Sequence, residues 1–171
     1  MNYNIEHACI TEHFKMSNQA PLPNFHFTVQ SGIYAAREAS TKLMIELAPL
    51  NLDVEETGAI ELIIAEVLNN IVEHGYPDPK NGGPISIYCE QGNRGLNFKL
   101  IDKGLPMPDG APPVGLAANI DVELKDLPEG GFGWSIIKNL AKDIVYTRTD
   151  DANRLDLRIA IAVGSKNNCS I

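Results

Sequence analysis

The pattern richest in chemistry runs from Ile60 to Gly75, Ile-Glu-Leu-Ile-Ile-Ala-Glu-Val-Leu-Asn-Asn-Ile-Val-Glu-His-Gly. On a helix turning about 100° per residue, Ile60, Ile63, Ile64, Val67, Leu68 and Ile71 form one apolar stripe. Glu66, Asn70 and His74 follow one another at i, i+4 and i+8 along the edge of that stripe. Polar groups at the margin of a core need partners, because burial strips away their water. A carboxylate can move a proton and an amide oxygen can ligate a hard cation, so a metal-bound polyphosphate is one partner that would satisfy the row.

Two loop patterns add to it. Ile101-Asp102-Lys103-Gly104 ends an alternating segment in an acid with glycine two residues on. There a carboxylate can accept from a ligand amine while the glycine lets a planar ring lie against the backbone. Glu129-Gly130-Gly131-Phe132-Gly133 runs straight into an apolar-periodic segment. Glycines at a helix start expose N–H groups that suit phosphate oxygens. Each pattern alone has an ordinary reading: Asp102-x-Gly104 as a turn, the glycine run as a loop-to-helix junction, Glu66 as a solvated edge residue, His74 as a cation at a helix C-terminus. The glycine run is neither a Walker A loop nor a dinucleotide-binding fingerprint. His7, Cys9 and His13 match no usual zinc spacing.

The elements that must position these residues are legible in the same rows. Phe25 to Val29 alternates and predicts a strand. Ser31 is placed to cap a helix from Gly32 to about Leu47, with Ile33, Ala36, Met44 and Leu47 inward. Asp53 followed by Glu56 reads as a capping box for the helix that carries Glu66 to His74, and Gly75 to Pro84 ends it. Ile85, Ile87 and Cys89, then Leu96, Phe98 and Leu100, alternate on either side of a turn at 92–95. A glycine- and proline-rich loop follows, including 105–129, of the length that is usually functional. A helix from Phe132 to about Ala141, a segment from Ile144 to Thr149 and a strand from Arg154 to Val163 close the series. This order predicts an α+β, two-layer α/β sandwich, with a mixed, mainly antiparallel sheet covered on one face by helices. Residues 1–23 read as an N-terminal arm, 24–163 as one domain and 164–171 as a C-terminal tail.

Composition narrows the function classes. With 171 residues, 44% of them hydrophobic, the chain can bury a core without disulfide or metal staples. A net charge of −8 argues against nonspecific binding to nucleic acid or anionic membranes. Any nucleotide must therefore be held by local donors and a cation. The three cysteines, Cys9, Cys89 and Cys169, imply no disulfide framework. The N-terminus lacks a basic start and an apolar run, and no segment approaches the roughly 18 apolar residues of a membrane span, so a cytoplasmic location is expected.

Taken in order, Glu66-x-x-x-Asn70-x-x-x-His74-Gly75-Tyr76, then Asp102-x-Gly104, then Gly130-Gly131-Phe132-Gly133 resembles the N-box and glycine boxes of the GHKL ATPases, the histidine-kinase-like superfamily with the Bergerat ATP-binding fold. The resemblance covers about residues 25–162. Within the superfamily, the short chain, the His-Gly-Tyr and the Glu-Gly-Gly-Phe-Gly resemble the anti-sigma-factor serine/threonine kinases. The resemblance implies ATP and Mg²⁺ as cofactors. It implies Asn70 as the Mg²⁺ ligand, Glu66 as general base, and Asp102 with Gly104 at the adenine. It further implies Gly130, Gly131 and Gly133 at the phosphates, and His74 lining the site. The partners it implies are a sigma factor and a small anti-anti-sigma antagonist protein phosphorylated on serine, with the kinase a homodimer. A non-catalytic, nucleotide-sensing switch of the same fold is the alternative. One departure stands out: where some members carry a basic residue just ahead of the last glycine box, this chain has Glu129, with Lys125 and Lys103 nearby. The first helix contains no histidine, which argues against self-phosphorylation on an acceptor helix of that kind.

Overall fold

The computed structural model describes residues 22–113 and 133–162. Glu129, Gly130, Gly131, most of the 105–129 loop, the C-terminal tail and the N-terminal arm apart from Leu22 and Pro23 lie outside those residues. Strands β1 (Phe25–Gln30), β2 (Pro84–Gly92), β3 (Gly95–Asp102), β4 (Ala141–Thr149) and β5 (Ala152–Ile159) form one sheet in the order β1-β2-β3-β5-β4. Every pairing is antiparallel, so among the described residues the sheet has no parallel pair. Helices α1 (Ala35–Leu47), α2 (Val54–Asn70) and α3 (Gly133–Leu140) share its apolar core. This is the α+β sandwich expected from the order of elements.

The period-2 alternation sets the two faces of the sheet. Ile85, Ile87 and Cys89 of β2, Leu96, Phe98 and Leu100 of β3, and Leu155, Leu157 and Ile159 of β5 are all buried. In register, Ile87 pairs with Leu100, and Leu100 with Leu155, so one apolar row crosses three strands. The opposite phase is polar: His26 stacks on Tyr88, Lys99 lies over the Tyr88 ring, and Arg154 pairs with Asp156.

Helix α2 follows its sequence closely. Asp53 Oδ1 accepts from the Glu56 N–H at 2.8 Å and Glu56 Oε2 accepts from the Asp53 N–H at 3.1 Å. Such a capping box contributes about 1 kcal/mol. Ile60, Ile63, Ile64, Val67 and Leu68 are buried, as the stripe requires.

Helix α1 departs from expectation. It begins at Ala35, and Ser31 does not cap it: the Ser31 hydroxyl accepts from the Gly83 N–H and the Ser31 N–H donates to the Gly83 carbonyl. The serine instead clips the end of β1 to the start of β2. The inward residues are Ala35, Ala39, Leu43 and Leu47, one every fourth position. Ala36 and Met44 pack at the margin of the core, and Ile33, expected inside, is 88% exposed because it precedes the helix. Leu22 is buried, with its N–H on Gln91.

Candidate functional site

The C-terminal end of α2 supplies the first side of the site. Asn70 sits one turn after Glu66, and its Nδ2 donates to the Glu66 carbonyl at 2.6 Å. Turning the nitrogen back on the helix leaves Oδ1 as the amide atom available to a ligand. Both side chains are half-buried. The chain then widens into a π turn over Ile71–Gly75, a local irregularity common at functional sites. The wider turn takes His74 out of the strict i+4 row; it is exposed and lines the mouth of a cavity.

The second side is built where Gly75 crosses the loop after β3. The Leu105 N–H donates to the Gly75 carbonyl at 2.8 Å. A Cβ on Gly104 would lie 2.6 Å from that carbonyl oxygen, so the two backbones approach this closely only because Gly104 has no side chain. Asp102, the last residue of β3, is 5% exposed. Its Oδ1 accepts from the Gly104 N–H at 2.7 Å and from Asn153 Nδ2 at 2.8 Å. Burial raises the Asp102 carboxyl above its ordinary range, while the Asn153 and Gly104 hydrogen bonds and the Arg148 charge pull it back.

Between the two sides lies a cavity of about 200 Å³, lined among others by Asn70, Gly75, Asp102, Met107, Trp134 and Asn153. It is mostly apolar, with a few convergent polar groups, as small-molecule sites are. A depression of about 300 Å³ on the polar face of the sheet holds His26, Tyr88 and Lys99 but none of the expected site residues.

Helix α3 closes the constellation. A Cβ on Gly133 would lie 2.6 Å from Glu66 Oε2 and 3.1 Å from Asn70 Nδ2, so the start of α3 rests against both side chains. The tertiary structure thus gathers Glu66, Asn70, His74, Asp102, Gly104 and Gly133; Gly130 and Gly131 fall outside the described residues. Cys89 is no candidate nucleophile: burial, with Glu90 adding to it, pushes its thiol up to about 12.

Sequence reasoning passed over Trp134, Tyr146, Arg148 and Asn153. A signal for Asn153 was present, since it shares the inward phase of Leu155, Leu157 and Ile159. A polar side chain in an otherwise apolar row calls for a buried partner.

The histidine kinase-like ATPase domain family matches residues 33–159, from the approach to α1 through the end of β5. The chain belongs to this family. The N-box and glycine-box resemblance therefore holds at the level of the superfamily, and ATP is the ligand that histidine kinase-like ATPase membership implies. In structure, the chain is similar to the RsbU and RsbW domains of Rv1364c from Mycobacterium tuberculosis, with a TM-score of 0.55 and 21% identity over 84% of this chain. It covers 34% of that longer protein, and at this identity the likeness speaks for the fold. The histidine kinase AdeS of Acinetobacter baumannii is similar at a TM-score of 0.40 and 16% identity, over 78% of this chain and 67% of that one.

The residues present fit a magnesium nucleotide. Asn70 offers an amide oxygen and Asp102 a carboxylate in the lining of one cavity, and α3 begins beside Glu66. No described residues form a cluster of three or more metal-ligating acids, histidines or cysteines. A cation at Asn70 would draw its other ligands from phosphate and water, as Mg²⁺ commonly does.

Proposed function

We propose that this histidine kinase-like ATPase is an ATP-dependent serine/threonine protein kinase that also acts as an anti-sigma factor. The observation that carries the reading is a cavity lined by both Asn70 and Asp102, with Glu66 and Gly133 packed beside Asn70. In this reading Asp102 marks the recognition end and Glu66 with Asn70 the reaction end.

At the recognition end, Asp102 accepts from the base amino group while Gly104 keeps the wall flat. At the reaction end, the Asn70 amide oxygen holds the cation and the Gly130-Gly131-Phe132-Gly133 backbone contacts phosphate oxygens. Glu66 orients and deprotonates the hydroxyl that attacks. Mg²⁺, when bound, supplies charge neutralisation across the phosphates. The substrate hydroxyl is a serine on a small antagonist protein; the unmodified antagonist competes with a sigma factor for the kinase. The kinase acts as a homodimer in the cytoplasm. No described helix is long and apolar enough to cross a membrane.

Glu129 favours one alternative. An acid beside the phosphate-binding glycines, where some members carry a base, suits a protein that binds nucleotide and switches partners without transferring phosphate.

Calorimetric titration with ATP, with and without Mg²⁺, for the full chain and for Asn70→Ala tests the site. Magnesium-dependent binding that the substitution abolishes is the expected result; no binding by folded wild-type protein would overturn it. Phosphate transfer to a small antagonist then separates the kinase from the switch, which would bind ATP and label nothing.

A further inference from the structure

The two buried polar side chains among the described residues, Asp102 and Asn153, are bonded to each other across β3 and β5. The Asn153 amide is saturated at both ends. Its Nδ2 donates to Asp102 Oδ1 at 2.8 Å, to the Gly104 carbonyl at 3.2 Å and to the Leu105 carbonyl at 3.1 Å. Its Oδ1 accepts from the Tyr146 hydroxyl at 2.7 Å and from Arg148 Nη1. Tyr146 and Arg148 lie on β4 and brace the loop a second time: the Tyr146 hydroxyl accepts from the Met107 N–H at 3.1 Å, and Arg148 Nη1 donates to the Gly104 carbonyl at 3.1 Å.

Two consequences follow from this wiring. The amide orientation is fixed, because reversing it would set its oxygen against three acceptors and its nitrogen against the Arg148 guanidinium, which can only donate. Asp102 Oδ1 is also fully engaged, by Gly104 and Asn153, while Oδ2 has no hydrogen-bond partner among the described residues. The cavity is lined by Asp102, Asn153 and Tyr146 together with Leu105 and Met107 of the braced loop.

We propose that Tyr146 and Arg148, acting through Asn153, are positioning residues for base recognition: they fix which Asp102 oxygen faces the cavity and hold the 104–107 wall at the distance a purine requires. The inference rests on the ATP reading and adds a mechanism for its selectivity. A carboxylate free to rotate would offer either oxygen at some cost in order. One locked by a buried amide is preorganised to accept from a 6-amino group, and binding spends nothing on ordering it.

The chain has a single tryptophan, Trp134, in the wall of this cavity, so intrinsic fluorescence reports occupancy directly. The experiment titrates the full chain with ATP and with the purine ribonucleoside triphosphate that lacks the 6-amino group, for wild type, Tyr146→Phe, Arg148→Met and Asn153→Ala. Wild type should prefer ATP by roughly 10-fold or more, the effect of one hydrogen bond to a charged acceptor. In the variants this ratio should fall to within about 3-fold, through weaker ATP binding and not through a common loss for both nucleotides. Tyr146→Phe removes only a hydroxyl and keeps the ring, which guards the test against unfolding of the other two. Folded variants that bind both nucleotides more weakly at an unchanged ratio would show a merely structural role and overturn the proposal, leaving the ATP site intact. Wild type that binds ATP without discrimination would also overturn it. Wild type that binds neither nucleotide would overturn the ATP reading itself.

Discussion

Gly133 meets Glu66 at a distance that leaves no room for a methyl group: a Cβ there would stand 2.6 Å from Glu66 Oε2. The contact couples the first residue of α3 to the acid on α2, two elements separated in sequence by the whole sheet hairpin and the long loop. The chain thereby sets Gly133, the last glycine of the box, beside Glu66 and Asn70.

Gly133→Ala should separate activity from stability. The obstructed atom is the far end of a flexible side chain, so Glu66 can swing aside and the unfolding free energy should change by less than about 1 kcal/mol. Displacing the acid by about an ångström should lower phosphate transfer roughly 10²-fold. Label transfer from γ-labelled ATP, measured beside a thermal melt, checks both; full transfer in the variant would remove Glu66 from its assigned place.

Glu66→Gln keeps the shape of the side chain and its contact with Gly133 while removing the proton acceptor. ATP affinity should hold, and transfer should drop by roughly 10²- to 10⁴-fold if the carboxylate acts as base. Calorimetry and released phosphate report the two quantities separately. Equal turnover in the variant would end the general-base assignment.

Asp102→Asn should produce opposite effects on stability and binding, both dependent on pH. The buried carboxyl titrates above its ordinary range, so the folded protein holds its proton more tightly than the unfolded chain does. Stability of the wild type therefore falls as pH rises from the unfolded value through the raised folded value, and the penalty is complete above it. The asparagine variant lacks that penalty. Its stability relative to wild type should improve as pH rises through this window and then stay level, as denaturant melts at a series of pH values will show. ATP binding behaves the other way. The wild type needs the ionised acceptor and should weaken as pH falls through the raised value, whereas the variant should bind poorly throughout.

Alanine at two glycines, Gly104 after β3 and Gly58 within α2, should shift stability in opposite directions. Gly104→Ala would place a Cβ 2.6 Å from the Gly75 carbonyl oxygen and 2.8 Å from the Gly75 Cα. Backbone must move to admit it, at a cost of about 1–3 kcal/mol or more, with loss of nucleotide binding. Gly58, inside α2, has open space where its Cβ would go. Gly58→Ala should stabilise the fold by about 0.5–1 kcal/mol and leave the site untouched. Chemical denaturation distinguishes them, and equal effects would mean the Gly75–Gly104 crossing is not tight.

What the sequence determined by itself was local. The capping box at Asp53, the stripe from Ile60 to Ile71, the placement of Glu66 and Asn70 on one edge and the alternation of β2, β3 and β5 all depend on neighbours within about four residues, and periodicity exposes them. The motif order was likewise legible, because glycine and acid positions are read directly from the chain. Ser31 shows where local reading fails: a serine ahead of a helix satisfies a cap in principle, but its hydroxyl went to Gly83, brought near by strand pairing. The tertiary structure alone decided that Gly133 abuts Glu66 and that Asn153 holds Asp102, a bond spanning 51 positions. Such contacts follow from sheet order and strand register, which set distant side chains opposite one another and leave no period along the chain from which to read them.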